Sequence, residues 1–251
     1  MQVASLMQNW ENAPDRVALG ENEVHIWRTS LLRTAGEYRQ LQTFLDENEL
    51  AHAQSFFSIE KRWHWVAARG TLRFLLGMYL RTYPAQLTFC YNAHGKPDLG
   101  DEWQQEHIRF NLSHSTGLAL YAFVRRRQIG LDIERVRASV RHMRLAQQKF
   151  APGEYETLQR LSPAEQQQAF FTCWTRKEAY LKARGEGMAY GLRSFEVSLK
   201  PGEPAVLLVN HLDPFECQRW SIKDILPGED YVGTLIVERK GQTPVSCHYD
   251  L

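Results

Sequence analysis

Apolar and polar positions alternate, then switch to helical spacing, then alternate again, and the cycle runs twice along the chain. Val24 to Trp27 predicts a short strand. Helical spacing follows over Leu41 to Phe57 and again over Ser58 to about Arg81, where Pro84 stops it. Leu87 to Tyr91, Ile108 to Leu112, Leu118 to Val124 and Ile129 to Ile133 are short apolar runs between Gly- and Asn-containing turns, the pattern of strands. Ser162-Pro163-Ala164-Glu165 places an N-cap residue, a proline at the first helical position and a glutamate three residues on. It predicts a helix to about Ala183, stopped by Gly185. Late strands are expected near Phe195 to Leu199, Glu216 to Ile222 and Tyr231 to Val237. The fold class is therefore α+β: two similar α/β halves, 1–128 and 129–251, dividing near Arg125 to Gly130.

Composition narrows the class. The 251 residues are 43% hydrophobic and 24% charged, enough for a sizeable core and too apolar for a disordered chain. The net charge of +1 gives no overall attraction to nucleic acid or anionic membrane, so any anion site must be built locally. Cys90, Cys173, Cys217 and Cys247 form no CxxC pair, and reduced thiols are expected. The opening MQVASLMQNWENAPD lacks a basic start followed by an apolar run, and no stretch reaches the length of a membrane span, so a cytoplasmic protein is expected.

Several residues could carry chemistry. In Gly130-Leu131-Asp132-Ile133-Glu134, strand periodicity points both carboxylates to one face. Such a pair is either a solvated strand edge or half of an all-oxygen site for Mg²⁺. Trp174, Glu178 and Lys182 follow one another at i, i+4 on the Ser162-capped helix. Glu178 and Lys182 are either a surface ion pair or a metal ligand beside a phosphate-neutralising lysine. Arg62, Arg69 and Arg73 share a face of the earlier helix, which is a solvated stripe unless it lines a cleft. Gly95-Lys96-Pro97 presents a lysine on a stiff turn. Ser113 and His114 are neighbours on a strand and point to opposite faces, so they suit binding better than a nucleophile–base couple. No GxxxxGK[ST], GxGxxG or GxSxG pattern is present, which argues against P-loop kinases, dinucleotide-dependent dehydrogenases and the usual hydrolase elbow.

In order, Gly95-Lys96-Pro97, FNLSHS (110–115), GLDIE (130–134) and WTRKEAYLK (174–182) strongly resemble the 4′-phosphopantetheinyl transferase superfamily, surfactin-type branch, over about Phe57 to Phe195. Leu131, where the family often has Ile or Val, is a conservative departure. The resemblance implies a monomer with an internal pseudo-two-fold and its active site in the cleft between the halves. It implies transfer of phosphopantetheine from coenzyme A to a serine of an apo acyl or peptidyl carrier protein, releasing adenosine 3′,5′-bisphosphate. By motif position, Asp132, Glu134 and Glu178 would hold Mg²⁺ (or Mn²⁺) in the C-terminal half. Lys182 would bind a pyrophosphate oxygen, and Asp132, Glu178 and Lys182 would be the catalytic groups. Lys96, Ser113, His114, Arg62 and Arg69 would sit at the nucleotide end in the N-terminal half. Glu178 or a metal-bound water would take the serine proton. Rival readings are a non-catalytic coenzyme A or nucleotide-binding module and a protein-interaction domain.

Overall fold

A computed structural model describes residues 9–14, 16–241 and 243–251. Most of the N-terminal stretch in which the sequence shows no signal-peptide pattern, Met1 to Gln8, lies outside them. The class is mixed α+β, and the chain forms two compact units. One comprises Glu11–Arg126 with Val245–Leu251; the other comprises Arg127–Pro244 with Trp10. No helix among the described residues is long and apolar enough to cross a membrane.

In the first unit, β1 (Glu11–Asn12), β2 (Glu23–Ser30), α1 (Ala35–Gln42), α2 (Glu47–Gln54) and α3 (Ile59–Leu80) precede β3 (Phe89–Tyr91), β4 (Pro97–Leu99), β5 (Ile108–Ser115) and β6 (Leu118–Arg125). The sequence suggested one helix from Leu41 to Phe57; there are two. Asp46 accepts from the Glu49 amide while Glu49 accepts from the Asp46 amide, so a reciprocal N-cap restarts the helix. The last strand of the chain, Val245–Asp250, inserts between β1 and β2, parallel to both, and β6 and β5 complete the five-stranded sheet in antiparallel register. Trp27, Leu72, Leu76, Tyr121 and Phe123 fill the core between α3 and this sheet. The Tyr121 hydroxyl donates to the Ala68 carbonyl of α3 at 3.0 Å, so the one polar group this ring buries is satisfied.

The second unit contains β7 (Ile129–Arg135), α4 (His142–Lys149), α5 (Pro152–Arg160), α6 (Pro163–Arg184), β8 (Phe195–Val197), β9 (Leu207–Asn210), a one-turn α7 (Glu216–Arg219), β10 (Trp220–Ile225) and β11 (Tyr231–Glu238). Strands β10, β11 and β7 form an antiparallel sheet, with Asp132 opposite Thr234 and Glu134 opposite Val232. Helix α6 begins as its sequence predicts: the Glu165 carboxylate accepts from the Ser162 hydroxyl at 2.6 Å and the Ser162 amide at 3.2 Å, and Gly185 caps the far end. Phe150, Phe170, Tyr180, Phe195, Trp220 and Ile236 form the core around it. The strand expected from Glu216 starts only at Trp220. Glu216 is instead buried at the hub of a network, accepting from the Tyr180 hydroxyl and the Trp220 indole at 2.7 Å each and pairing with Arg184 at 2.7 Å. These donors hold its carboxyl down to about 2 despite its burial.

Candidate active site

Gly130 sets the geometry of the second unit's carboxylates. A Cβ built on it would overlap the carbonyl oxygen of Ala179 and the amide nitrogen of Ala183 on α6. Only glycine lets the helix backbone settle directly on the strand. Gly130, Asp132 and Glu134 lie on the same face of β7, so the helix that covers the glycine also covers the two acids. Beside them the Thr175 and Thr234 hydroxyls meet at 3.0 Å, fixing α6 against β11. Helical spacing then brings Glu178 and Lys182 over the strand.

The consequences are measurable. Lys182 Nζ donates to Asp132 Oδ1 at 2.7 Å, with Asp132 buried. Burial, followed by repulsion from Asp132, raises the Glu178 carboxyl above the ordinary range; Lys182 opposes this, and Glu134 adds to the repulsion. Glu178 thus senses both strand carboxylates and the lysine. Among the described residues no three His, Cys, Asp or Glu side chains are drawn together as a metal-holding cluster. The donor set nevertheless suits a hard divalent ion: three carboxylates and one ammonium leave two negative charges, and all donor atoms are oxygen.

The rest of the Trp174–Lys182 segment is structural. Trp174 packs against Phe150 and Phe170 at ring distances of 6.5 and 5.9 Å rather than joining Glu178 and Lys182. Arg176 grips Asp224 through Nε at 3.0 Å and Nη2 at 2.5 Å, and reaches the Ser198 carbonyl. Lys177 is fully buried on both oxygens of Glu154 at 2.7 Å, on the Phe195 carbonyl at 2.7 Å and over the Phe195 ring. Glu154 also accepts from the Ala151 and Val197 amides, so one carboxylate joins α5, α6 and β8. Sequence reasoning gave Glu154 no part, although Pro152 and Glu154 at N1 and N3 are a readable helix start.

The first unit holds a cavity of about 480 Å³ whose wall includes Glu49, His52, Trp65, Arg69, Tyr91 and His114. The Gly95–Pro97 turn forms one edge. There Gly95 takes φ +80°, and the Asn92 side chain accepts from the His94 and Lys96 amides at 2.9 Å each. Burial, then the nearby Arg109, pushes the Lys96 amine down to about 8. His114 is exposed toward the cavity, whereas Ser113, its neighbour on β5, is buried and does not line it.

Of the three arginines on α3, only Arg69 lines the cavity. Arg73 is fully buried, donating to Glu49 at 2.6 Å, Asp46 at 2.7 Å and the Leu87 carbonyl at 2.8 Å. Arg62 turns back to the end of α2, donating to the Phe56 carbonyl at 3.2 Å. The shared face read from spacing therefore splits: Arg69 and Arg73 form an internal ion-pair layer with Arg69 at a cavity, while Arg62 bonds only backbone carbonyls among the described residues. The partners Asp46 and Glu49 come from a different helix, which spacing along α3 could not reveal.

These features match a known family. Residues 128–236, which contain β7 and α6, match the 4′-phosphopantetheinyl transferase superfamily. The chain is 39% identical to the 4′-phosphopantetheinyl transferase HetI of Nostoc sp., across 97% of this chain and 100% of that protein. It is 34% identical to the 4′-phosphopantetheinyl transferase psf-1 of Bacillus pumilus, across 73% and 83% of the two chains. To the 4′-phosphopantetheinyl transferase Sfp of Bacillus subtilis it is 28% identical, across 73% and 84%. The chain belongs to the 4′-phosphopantetheinyl transferase superfamily. Its activity is that of a 4′-phosphopantetheinyl transferase, and the family implies coenzyme A and a carrier protein as substrates.

Proposed function

We propose that Asp132, Glu134 and Glu178 hold Mg²⁺ with the coenzyme A pyrophosphate, and that Lys182 binds a pyrophosphate oxygen while phosphopantetheine passes to a serine of an apo acyl or peptidyl carrier protein. The observation that carries this reading is the seating of Lys182 from α6 on Asp132 of β7 at 2.7 Å, with Glu178 one turn earlier on the same helix. A bound divalent cation would supply charge neutralisation at the phosphoryl oxygens. The serine oxygen forms a bond to the phosphorus that carries the pantetheine arm. The bond from that phosphorus to the bridging oxygen breaks, and adenosine 3′,5′-bisphosphate departs. Glu178, directly or through a water, accepts the serine proton on a carboxylate oxygen. An ammonium has three donors, so the bond from Lys182 to Asp132 is compatible with another to a phosphate oxygen as charge develops there.

At the nucleotide end, the reading rests on the first unit's cavity. Arg69 and His114 on its wall, and Lys96 on its bordering turn, offer cationic or hydrogen-bonding groups to the 3′-phosphate, and Trp65 offers an aromatic face. Ser113 and Arg62, which the family motif also suggests, receive less support because they face elsewhere.

Intact-mass measurement on a panel of apo carrier proteins, with coenzyme A and either Mg²⁺ or excess chelator, tests the reading. Carriers should gain phosphopantetheine with Mg²⁺ and not with chelator. Undiminished transfer in chelator would overturn the metal assignment.

A further inference from the structure

We propose that Tyr91 and Glu49 are positioning residues that aim the Arg69 guanidinium at the 3′-phosphate of coenzyme A. The inference rests on the placement of that phosphate at Arg69 given above.

Arg69 is held on three sides. Its Nε donates to Glu49 Oε1 from α2, its Nη2 donates to the Tyr91 hydroxyl at 2.5 Å from β3, and its Cζ lies 4.1 Å from the centre of the Phe89 ring. These contacts fix both the direction and the tilt of a planar group, and they leave the Nη1 corner as the one without a bond to the protein among the described residues. A guanidinium fixed in this way binds a phosphate without having to lose rotamer freedom on association.

The two partners do different work. Glu49 divides its charge between arginines, since its second oxygen accepts from Arg73 Nε at 2.6 Å. Arg73 has Asp46 as a further acid at 2.7 Å, so two carboxylates balance two guanidiniums, and Arg69 has only a share of Glu49. A third carboxylate, on Nη2, would turn the cluster net negative. The position carries a phenol instead, and burial raises the Tyr91 hydroxyl above its ordinary value and keeps it neutral. Tyr91 therefore supplies direction without reducing the potential an anion meets. Its ring is more than half exposed, so removing the oxygen leaves the fold intact.

Isothermal titration of the full chain with coenzyme A and with 3′-dephospho-coenzyme A separates positioning from packing. Loss of one positioning hydrogen bond of ordinary net worth predicts that Tyr91→Phe weakens coenzyme A binding by about 5- to 10-fold. Binding of 3′-dephospho-coenzyme A should change by less than about twofold, because the phosphate is what Arg69 meets. In an Arg69→Ala background the same substitution should add nothing. Glu49→Gln should show the same phosphate-selective loss, provided that it still folds. Equal weakening of both ligands by Tyr91→Phe, no weakening of either, or a full additional loss on top of Arg69→Ala would overturn the proposal. If Arg69→Ala itself weakens both ligands alike, the phosphate is not at Arg69, and the parent reading falls together with this one.

Discussion

Gly130 lies beneath the backbone of Ala179 so closely that a side chain on the glycine would displace the alanine's carbonyl oxygen. The neighbour is helix backbone, which cannot rotate aside as a side chain would. Gly130→Ala should therefore lift α6 off β7, costing about 1–3 kcal/mol or more by overpacking. Chemical denaturation measures that loss. Transfer activity should fall further than stability does, because the lifted helix carries Glu178 and Lys182.

Glu178 gives a prediction in which stability and metal response part company. Its carboxyl is raised by burial and by Asp132 and Glu134, so the folded chain holds that proton more tightly than the unfolded one. Stability from this source is present at low pH and is lost as pH climbs through the window above the ordinary carboxylate value. Glu178→Gln removes the repulsion. At neutral pH without metal, its thermal midpoint should be equal to or higher than that of the parent chain. The upward shift that Mg²⁺ produces in the parent should vanish, and transfer should drop by about 100-fold or more.

Lys96 predicts a pH dependence at the nucleotide end. Its amine titrates at about 8 because of burial and Arg109, and the protonated form is the one that attracts phosphate. Adenosine 3′,5′-bisphosphate should bind more weakly as pH rises through 8, by about tenfold per unit at most. Titration calorimetry at pH 7 and pH 9 measures the change. Lys96→Met should bind more weakly at pH 7 and lose most of the difference between the two conditions.

The Lys177–Glu154 pair predicts a purely structural effect inside the family motif. Lys177→Met leaves a buried carboxylate facing apolar neighbours, with a cost of about 3–5 kcal/mol. Adding Glu154→Gln removes the stranded charge and should recover part of that loss, since the glutamine oxygen can still accept one of the two backbone amides. Urea midpoints of the parent chain and of the two variants check this.

Legibility in the sequence followed the range of the interactions. The α6 helix could be bounded from Ser162 to Gly185 because its caps lie within the segment itself. The carboxylates of Asp132 and Glu134 could be placed on one face because strand periodicity is local. Asp46 and Glu49 carried a start signal that divides the region around Leu41 to Phe57, and a continuous helical pattern concealed it. The strand Val245–Asp250 left no usable trace, since its pairing partners, β1 and β2, lie more than 200 residues away. Glu216 has strand-like neighbours on both sides, yet its carboxylate is claimed by Tyr180, Arg184 and Trp220, and the chain coils to deliver it. For the same reason the arginine face on α3 was read without its counter-charges: the acids that bury Arg73 and orient Arg69 belong to α2.

Anomalous diffraction from crystals grown with Mn²⁺ and coenzyme A addresses the carboxylates most directly. The predicted map has one strong peak within bonding distance of oxygens from Asp132, Glu134 and Glu178 and of the pyrophosphate, and the peak is lost in Glu178→Gln. A peak bound elsewhere, or one that persists unchanged in that variant, would contradict the assignment.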